Sequence, residues 1–162
     1  KYLELAETKS LPRVASIQNA YNLVNRGFEI GLSEVAMHEQ VGLLAYSPLA
    51  QGTLTGKYLG GQMPQGSRLA LFGDGPLMMR YKGDKTQQAI EMYVNLAKKY
   101  EIDPAQLAIQ FCNIQPFVTS TIIGATTMEQ LKTCIDSVDL DITKEIMNEI
   151  RGIHKEIPNP AP

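Results

Sequence analysis

The sequence predicts an α/β fold with parallel strands and a sheet that the chain leaves incomplete. Three observations carry this. Short β-prone runs alternate with helical patterns in the order α-β-α-β-loop-α-α-β-α-α, the arrangement that builds a parallel sheet covered by helices. The run Gly42-Leu43-Leu44-Ala45-Tyr46 is almost entirely apolar, so burial on both of its faces is expected. Only three such runs occur in 162 residues, whereas a closed (β/α)8 barrel needs eight strands and about 250 residues.

The elements follow in order. Lys1 to Glu7 has helical apolar spacing with no initiator Met and no capping residue before it, and is expected to begin inside a longer helix. Val14 to Gln18 is the first strand, running out into polar Gln18 and Asn19. Ser33 is the expected N-cap of a helix over Glu34 to Gln40. The second strand, Gly42 to Tyr46, stops at Ser47-Pro48. Residues 51–83 are rich in Gly and Pro and hold no sustained period. A loop that long is either a functional lid or binding loop, or plain disorder.

Asp84 with Gln87 forms a capping box for a helix whose Ala89, Ile90, Tyr93, Leu96, Ala97 and Tyr100 share one face. Asp103-Pro104-Ala105-Gln106 starts the next, lined by Leu107, Ala108, Phe111 and Cys112 until Pro116. Phe117 to Ile123 is the third strand. Thr127 with Gln130 caps a helix whose expected core face is Leu131, Cys134, Ile135 and Val138. Thr143 caps the last helix, with Ile146, Ile150 and Ile153 inward, and the Pro-rich tail from Pro158 ends it.

Composition narrows the function classes. The chain is 44% hydrophobic and 20% charged with a net charge of -2, which is ordinary for a globular protein. Its Lys and Arg residues are scattered rather than striped, which argues against a nucleic-acid partner. No apolar run approaches the ~20 residues of a bilayer span, so no membrane partner is expected. Cys112 and Cys134 lie far apart inside helical patterns and are expected to be buried, reduced thiols. His38 and His154 have no partner at metal-ligand spacing, so no metal is expected. No secretory signal opens the chain, and a cytoplasmic setting is expected.

An α/β protein places its ligand at the C-terminal ends of its strands. Here those ends are Gln18-Asn19, Tyr46-Ser47 and Gly124-Ala125-Thr126-Thr127. The last runs directly into a capped helix, so it offers backbone N–H groups and a helix dipole to an anion, with Gly124 allowing close approach. Thr127 acting simply as a helix cap accounts for the same residues. The long loop adds Lys57 and Arg68 as candidate cations; Arg68 either forks onto a phosphate or is a solvated surface charge. There is no P-loop, and no GxGxxG sits at a strand-to-helix turn.

Three segments, in this order and at this spacing, resemble the aldo-keto reductase family, in the branch of bacterial reductases and potassium-channel β subunits. Ser16-Ile17-Gln18-Asn19-Ala20-Tyr21-Asn22 resembles the family's sixth barrel strand. The run from Leu44-Ala45-Tyr46-Ser47-Pro48-Leu49-Ala50-Gln51-Gly52 to Lys57-Tyr58 is similar to the seventh strand and its loop. Thr121-Ile122-Ile123-Gly124-Ala125-Thr126-Thr127 through Leu131 resembles the eighth strand and the phosphate-binding helix start. The resemblance covers essentially the whole chain. It implies that residues 1–162 are one domain fragment, the C-terminal half of a (β/α)8 TIM barrel with about strands 6–8, and that 51–83 is a loop covering the cofactor.

The implied cofactor is NADPH. Gln18 would hydrogen-bond the nicotinamide carboxamide and Tyr46 would stack on its ring. Ser47, Pro48, Leu49 and Gly52 would line the pyrophosphate path, with Lys57 near it. Ser67-Arg68 would grip the 2′-phosphate, Thr126 and Gln130 would serve the adenosine side, and Gly124 belongs to the phosphate-binding helix start. The sequence departs from the family at Thr133 and Cys134, which stand where Glu and Asn are common near the adenine. The family's catalytic Asp, Tyr, Lys and His come from the first four strands, which this sequence does not contain. Tyr46, Lys57 and His38 are not placed to replace them. The implied function is the NADPH-binding half of an oxidoreductase that reduces small aldehydes or ketones, inactive as this segment alone. The alternative is a truncated, non-catalytic cofactor-binding or interaction module. Unpaired sheet edges further predict self-association of the isolated chain.

Overall fold

Three strands, β1 (Ser16–Ala20), β2 (Gly42–Tyr46) and β3 (Val118–Thr121), pair in parallel in the order β1-β2-β3. The computed structural model describes residues 1–73 and 75–162, without the side chain of Leu77; Asp74, inside the predicted long loop, lies outside the described residues. β1 meets β2 in unbroken register from Ser16 opposite Gly42 to Ala20 opposite Tyr46. The β2–β3 register shifts between Leu43 and Leu44. Backbone bonds from Leu43 N–H to Phe117 O and from Ile122 N–H to Ala45 O, both 2.8 Å, continue the pairing beyond the ends of β3. That strand is shorter than the Phe117-to-Ile123 run the sequence predicts.

The helices are α1 (Tyr2–Thr8), α2 (Leu32–His38), α3 (Arg68–Phe72), α4 (Pro76–Met79), α5 (Asp84–Lys99), α6 (Pro104–Asn113), α7 (Met128–Asp136) and α8 (Lys144–Glu156). Among the described residues, none is long and apolar enough to cross a membrane. The apolar faces predicted for α5, α6 and α8 are the buried ones, and they join Leu43 and Ala45 of β2 in one core. Its aromatic centre is Tyr21, stacked on Phe111 at 5.8 Å and edge-on to Phe117 at 5.2 Å. Cys112 and Cys134 are buried free thiols.

Only one face of the sheet is covered, and this corrects the expectation for β2. Leu44 is half-buried and Tyr46 is 40% exposed. Ser16 and Gln18 of β1 and Ser120 of β3 share that open face and are exposed. A run can be apolar throughout because of a neighbour on each side, yet this chain supplies helices on one side only. Gly42 is required by packing within the sheet: a Cβ there would fall 1.7 Å from Thr119 Oγ1.

The helix starts divide into two groups. Asp103 accepts from Ala105 N–H at 2.7 Å and Gln106 N–H at 3.3 Å, Thr127 from Gln130 N–H at 3.2 Å, and Thr143 from Ile146 N–H at 3.4 Å, as predicted. Ser33 is not a cap. Gly31, at φ +81, precedes α2, and the Ser33 hydroxyl donates back to Glu29 O at 3.2 Å, so the helix begins two residues earlier than expected. Asp84 and Gln87 form no capping box either. Gly83 is the N-cap, Asp84 is already helical, and the Gln87 side chain donates to Tyr81 O at 2.5 Å. On α7, Cys134 is buried but Ile135 is 57% exposed, and Val138, in the 3-10 turn that follows (Ser137–Asp139), is 61% exposed, since no described element packs beyond them. The described residues of the 51–83 segment fold into short pieces: a 3-10 stretch at Ala50–Thr55 kinked at Gln51 and Gly52, another at Leu59–Gly61, then α3 and α4.

Candidate functional site

The C-terminal ends of β1 and β2 are welded together by one side chain. Asn22 is fully buried; its Oδ1 accepts from Val24 N–H at 3.0 Å and Asn25 N–H at 2.9 Å, while its Nδ2 donates to Ser47 O at 3.0 Å. Beside it, Tyr21 N–H reaches Tyr46 O at 3.3 Å. Strand alternation then puts Gln18, which pairs with Leu44, and Tyr46, which pairs with Ala20, on the same open face. Both side chains are exposed there.

After Tyr46 the backbone enters a turn of left-handed residues: Ser47 (φ 55), Ala50 (φ 48), Gln51 (φ 60) and Gly52 (φ 89). Three of the four are not glycine, so the conformation costs of order 1–3 kcal/mol per residue and persists only where surrounding bonds over-determine it. Those bonds are present. Ala50 N–H donates to Ser47 O at 2.9 Å, Gly52 N–H to Leu49 O at 2.8 Å, and Gln51 Nε2 to Ser47 Oγ at 3.1 Å. Pro48 is buried and Leu49 half-buried beneath the turn.

Lys57 folds back over this turn. A Cβ added to Gly52 would lie 3.0 Å from both Cε and Nζ of Lys57 and 3.7 Å from the Tyr58 hydroxyl, so both φ and space demand glycine. The Lys57 ammonium is 5.2 Å from the centroid of the Tyr58 ring. Tyr58 is buried, and its hydroxyl accepts from Leu69 N–H at 3.4 Å, in the first turn of α3. That turn is capped by Ser67, which accepts from Ala70 N–H at 3.3 Å, and begins with exposed Arg68. The structure therefore brings Ser47, Pro48, Leu49, Gly52, Lys57, Ser67 and Arg68 into one connected stretch. No Asp or Glu occurs between Glu39 and Asp74. One ammonium and one guanidinium without a carboxylate in the segment suit an anion.

The end of β3 is a separate cluster whose hydrogen bonds stay within it. Thr126 donates from N–H and Oγ1 to Gln130 Oε1 at 3.0 and 3.1 Å, and Thr127 caps α7. Gly124, Thr126 and Gln130 are all exposed. A Cβ on Gly124 would meet nothing within 4 Å, so the protein's own packing does not require glycine there. His38 is exposed on α2. Sequence reasoning missed Asn22 and Tyr58. An Asn just past a strand is a recognised Asx-turn signal; for Tyr58 no local signal exists, since its partner comes from the distant start of α3.

Behind the site a charged network fixes the loop after β1. Arg26 grips Glu29 with Nε and Nη2 at 2.7 and 2.8 Å, and the Tyr21 hydroxyl donates to Glu29 Oε1 at 2.5 Å. Burial pushes the Tyr21 hydroxyl far above its ordinary range, reinforced by that bond. Burial acts to raise the Glu29 carboxyl, but the bonds from Arg26 and Tyr21 outweigh it and hold it below its usual value. The C-terminal tail is tied to the same region. Arg26 N–H donates to Asn159 Oδ1 at 2.7 Å, Thr86 Oγ1 to Pro160 O at 2.8 Å, and Ala161 N–H to Val24 O at 3.2 Å.

Comparison with known proteins places these features in a family. The chain is 50% identical over all 162 residues to Protein tas of Escherichia coli (strain K12), of which it covers 46%. It is 35% identical over 120 residues to a probable voltage-gated potassium channel subunit beta of Oryza sativa subsp. japonica, covering 73% of this chain and 37% of that protein. It is 32% identical over 142 residues to L-glyceraldehyde 3-phosphate reductase of Escherichia coli (strain K12), covering 86% of this chain and 40% of that one. The chain thus spans less than half the length of these three relatives. The family model described as the aldo/keto reductase family matches residues 1–155, nearly the whole sequence. The chain belongs to the aldo/keto reductase family.

Proposed function

We propose that residues 1–162 are the C-terminal, NADPH-binding half of a (β/α)8 reductase, with β1, β2 and β3 as its sixth to eighth strands. The whole polypeptide then reduces small aldehydes or ketones to alcohols, in the cytoplasm and without nucleic-acid or membrane partners. One observation carries the reading: the carboxylate-free stretch in which Lys57 overhangs the left-handed Gly52 turn and Tyr58 ties that turn to Ser67 and Arg68. Its donor set fits a dinucleotide, which presents a diphosphate and a 2′-phosphate to N–H groups and cations.

In this reading the nicotinamide lies on the open face of the sheet. Gln18 holds its carboxamide and the exposed Tyr46 ring covers one side, excluding water there. Ser47, Pro48, Leu49 and Gly52 line the diphosphate with Lys57 over it, Ser67 and Arg68 hold the 2′-phosphate, and 51–83 is the covering loop. Thr126 and Gln130 serve the adenosine side, and Gly124 allows close approach at the start of α7. Buried Cys134 brings no amide to the adenine, so recognition there rests on the Thr126–Gln130 pair. Bound NADPH supplies the hydride. The proton comes from an Asp, Tyr, Lys and His set contributed by sequence outside residues 1–162, and this segment alone is inactive.

The test is a cofactor titration of the full-length polypeptide. Arg68→Ala is expected to weaken NADPH binding by about 1.5–3 kcal/mol, roughly ten- to a hundredfold, with NADH binding little changed. Equal loss for both cofactors would remove Arg68 from the 2′-phosphate. The similarity to a protein named as a potassium-channel β subunit favours a second reading, a binding or interaction module without turnover. A full-length polypeptide that binds NADPH tightly yet reduces no aldehyde would select it.

A further inference from the structure

We infer that Asn22 is the positioning residue of the dinucleotide site, setting the turn that meets the diphosphate while touching no ligand itself. This rests on the function proposed above. Three bonds of Asn22 divide by direction, and its side chain also meets the Tyr81 hydroxyl at the far end of the 51–83 segment. Oδ1 is spent on the N–H groups of its own turn, Val24 and Asn25, which holds the side chain in one rotamer. Nδ2 is then aimed across to Ser47 O, a carbonyl 25 residues away in sequence. Ser47 is where the left-handed turn begins, and its carbonyl also accepts Ala50 N–H at 2.9 Å. The peptide after Ser47 is thereby held from both sides.

The neighbouring groups do not duplicate this hold. Gln51 Nε2 reaches the Ser47 hydroxyl rather than its carbonyl. The Tyr21-to-Tyr46 backbone bond lies one residue earlier and fixes the strand end rather than the turn. With Nδ2 gone, the half-buried Ser47 carbonyl keeps one partner and the strained turn loses its external clamp. Asn22 reaches the common, diphosphate part of the site and not the Ser67–Arg68 arm. Its loss is therefore felt equally by NADPH and NADH, the opposite of the signature of Arg68.

The experiment compares three variants of the full-length polypeptide by fluorescence titration with each cofactor and by thermal melting without cofactor. Asn22→Ser keeps a hydroxyl that accepts the Val24 or Asn25 N–H but is too short to reach Ser47. Asn22→Ala removes these three bonds and the contact with Tyr81. Asn25→Ala is the control, since Asn25 Oδ1 bonds only Gly27 N–H, at 3.3 Å, and does not touch the second turn. Expected are dissociation constants raised about tenfold for both cofactors in Asn22→Ser, no change in Asn25→Ala, and similar melting temperatures for those two. Unchanged affinity in Asn22→Ser overturns the inference, as does a loss confined to NADPH. Failure of both Asn22 variants to fold also overturns it, because Asn22 is then a requirement of the fold. If the unsubstituted polypeptide binds neither cofactor, the proposed function fails, and that result is distinct from all of these.

Discussion

His154 buries its Nδ1 without a hydrogen-bond partner among the described residues, and the charges it feels are those of Arg26 and Glu29. Burial first, and then the Arg26 charge, push its pKa below the ordinary 6.5, with Glu29 pulling the other way. The unfolded chain takes up the proton first as pH falls, so the stability from neutral His154 is complete above 6.5 and drains away as pH drops from there toward the lower folded pKa. The melting temperature is expected to fall between pH 7.5 and 5.5, and His154→Gln to flatten that slope. A slope unchanged by the substitution would place the sensitivity elsewhere. Glu29, held low by Arg26 and Tyr21, acts in a more acidic window: its contribution is present above its unfolded value of 4.5 and lost below. None of this was legible in the sequence, where His154 stood only as a residue lacking a metal partner. The groups it answers to lie more than a hundred positions away.

Elements that follow local chemistry were legible, and those set by a neighbour were not. Asp103, Thr127 and Thr143 cap their helices because the cap is a bond between residues two or three apart. Asp84 has the same sequence signature but loses the position to Gly83, because the incoming turn draws Gln87 to the Tyr81 carbonyl. The two aspartates therefore predict different costs. Asp103→Ala is expected to cost about 1 kcal/mol by lowering the urea midpoint. Asp84→Ala removes only a charge in the first turn and should cost about a third of that. Equal effects would mean that Asp84 caps α5 after all. The site divides along the same line. The strand ends and the glycine-rich turn could be named from the sequence, whereas Asn22 and Tyr58, which join one loop to another, depend on pairings that only the fold creates.

At the scale of the whole molecule, the open face of the sheet and its outer edges dominate. β1 and β3 each pair on one side only among the described residues. Next to β3, a groove between α6 and α7 is lined by Ile109, Ile114, Ile123, Cys134, Ile135 and Val138. β2 was read from the sequence as buried on both faces, and Leu131, Cys134, Ile135 and Val138 as the core face of one helix; the exposure of Tyr46, Ile135 and Val138 is what the half-barrel proposed above predicts. Unpaired strand edges beside exposed apolar side chains drive association. The isolated chain is therefore expected to self-associate with increasing concentration in sedimentation velocity. Replacing Ile135 and Val138 together by Lys should weaken that association at little cost to folding, because both side chains are already largely in water. In the full-length polypeptide the same pair of substitutions should lower the melting temperature, since the groove is there expected to be covered. An isolated chain that stays monomeric and melts cooperatively at high concentration would contradict the half-barrel reading at its root, because it would show that this open sheet needs no partner.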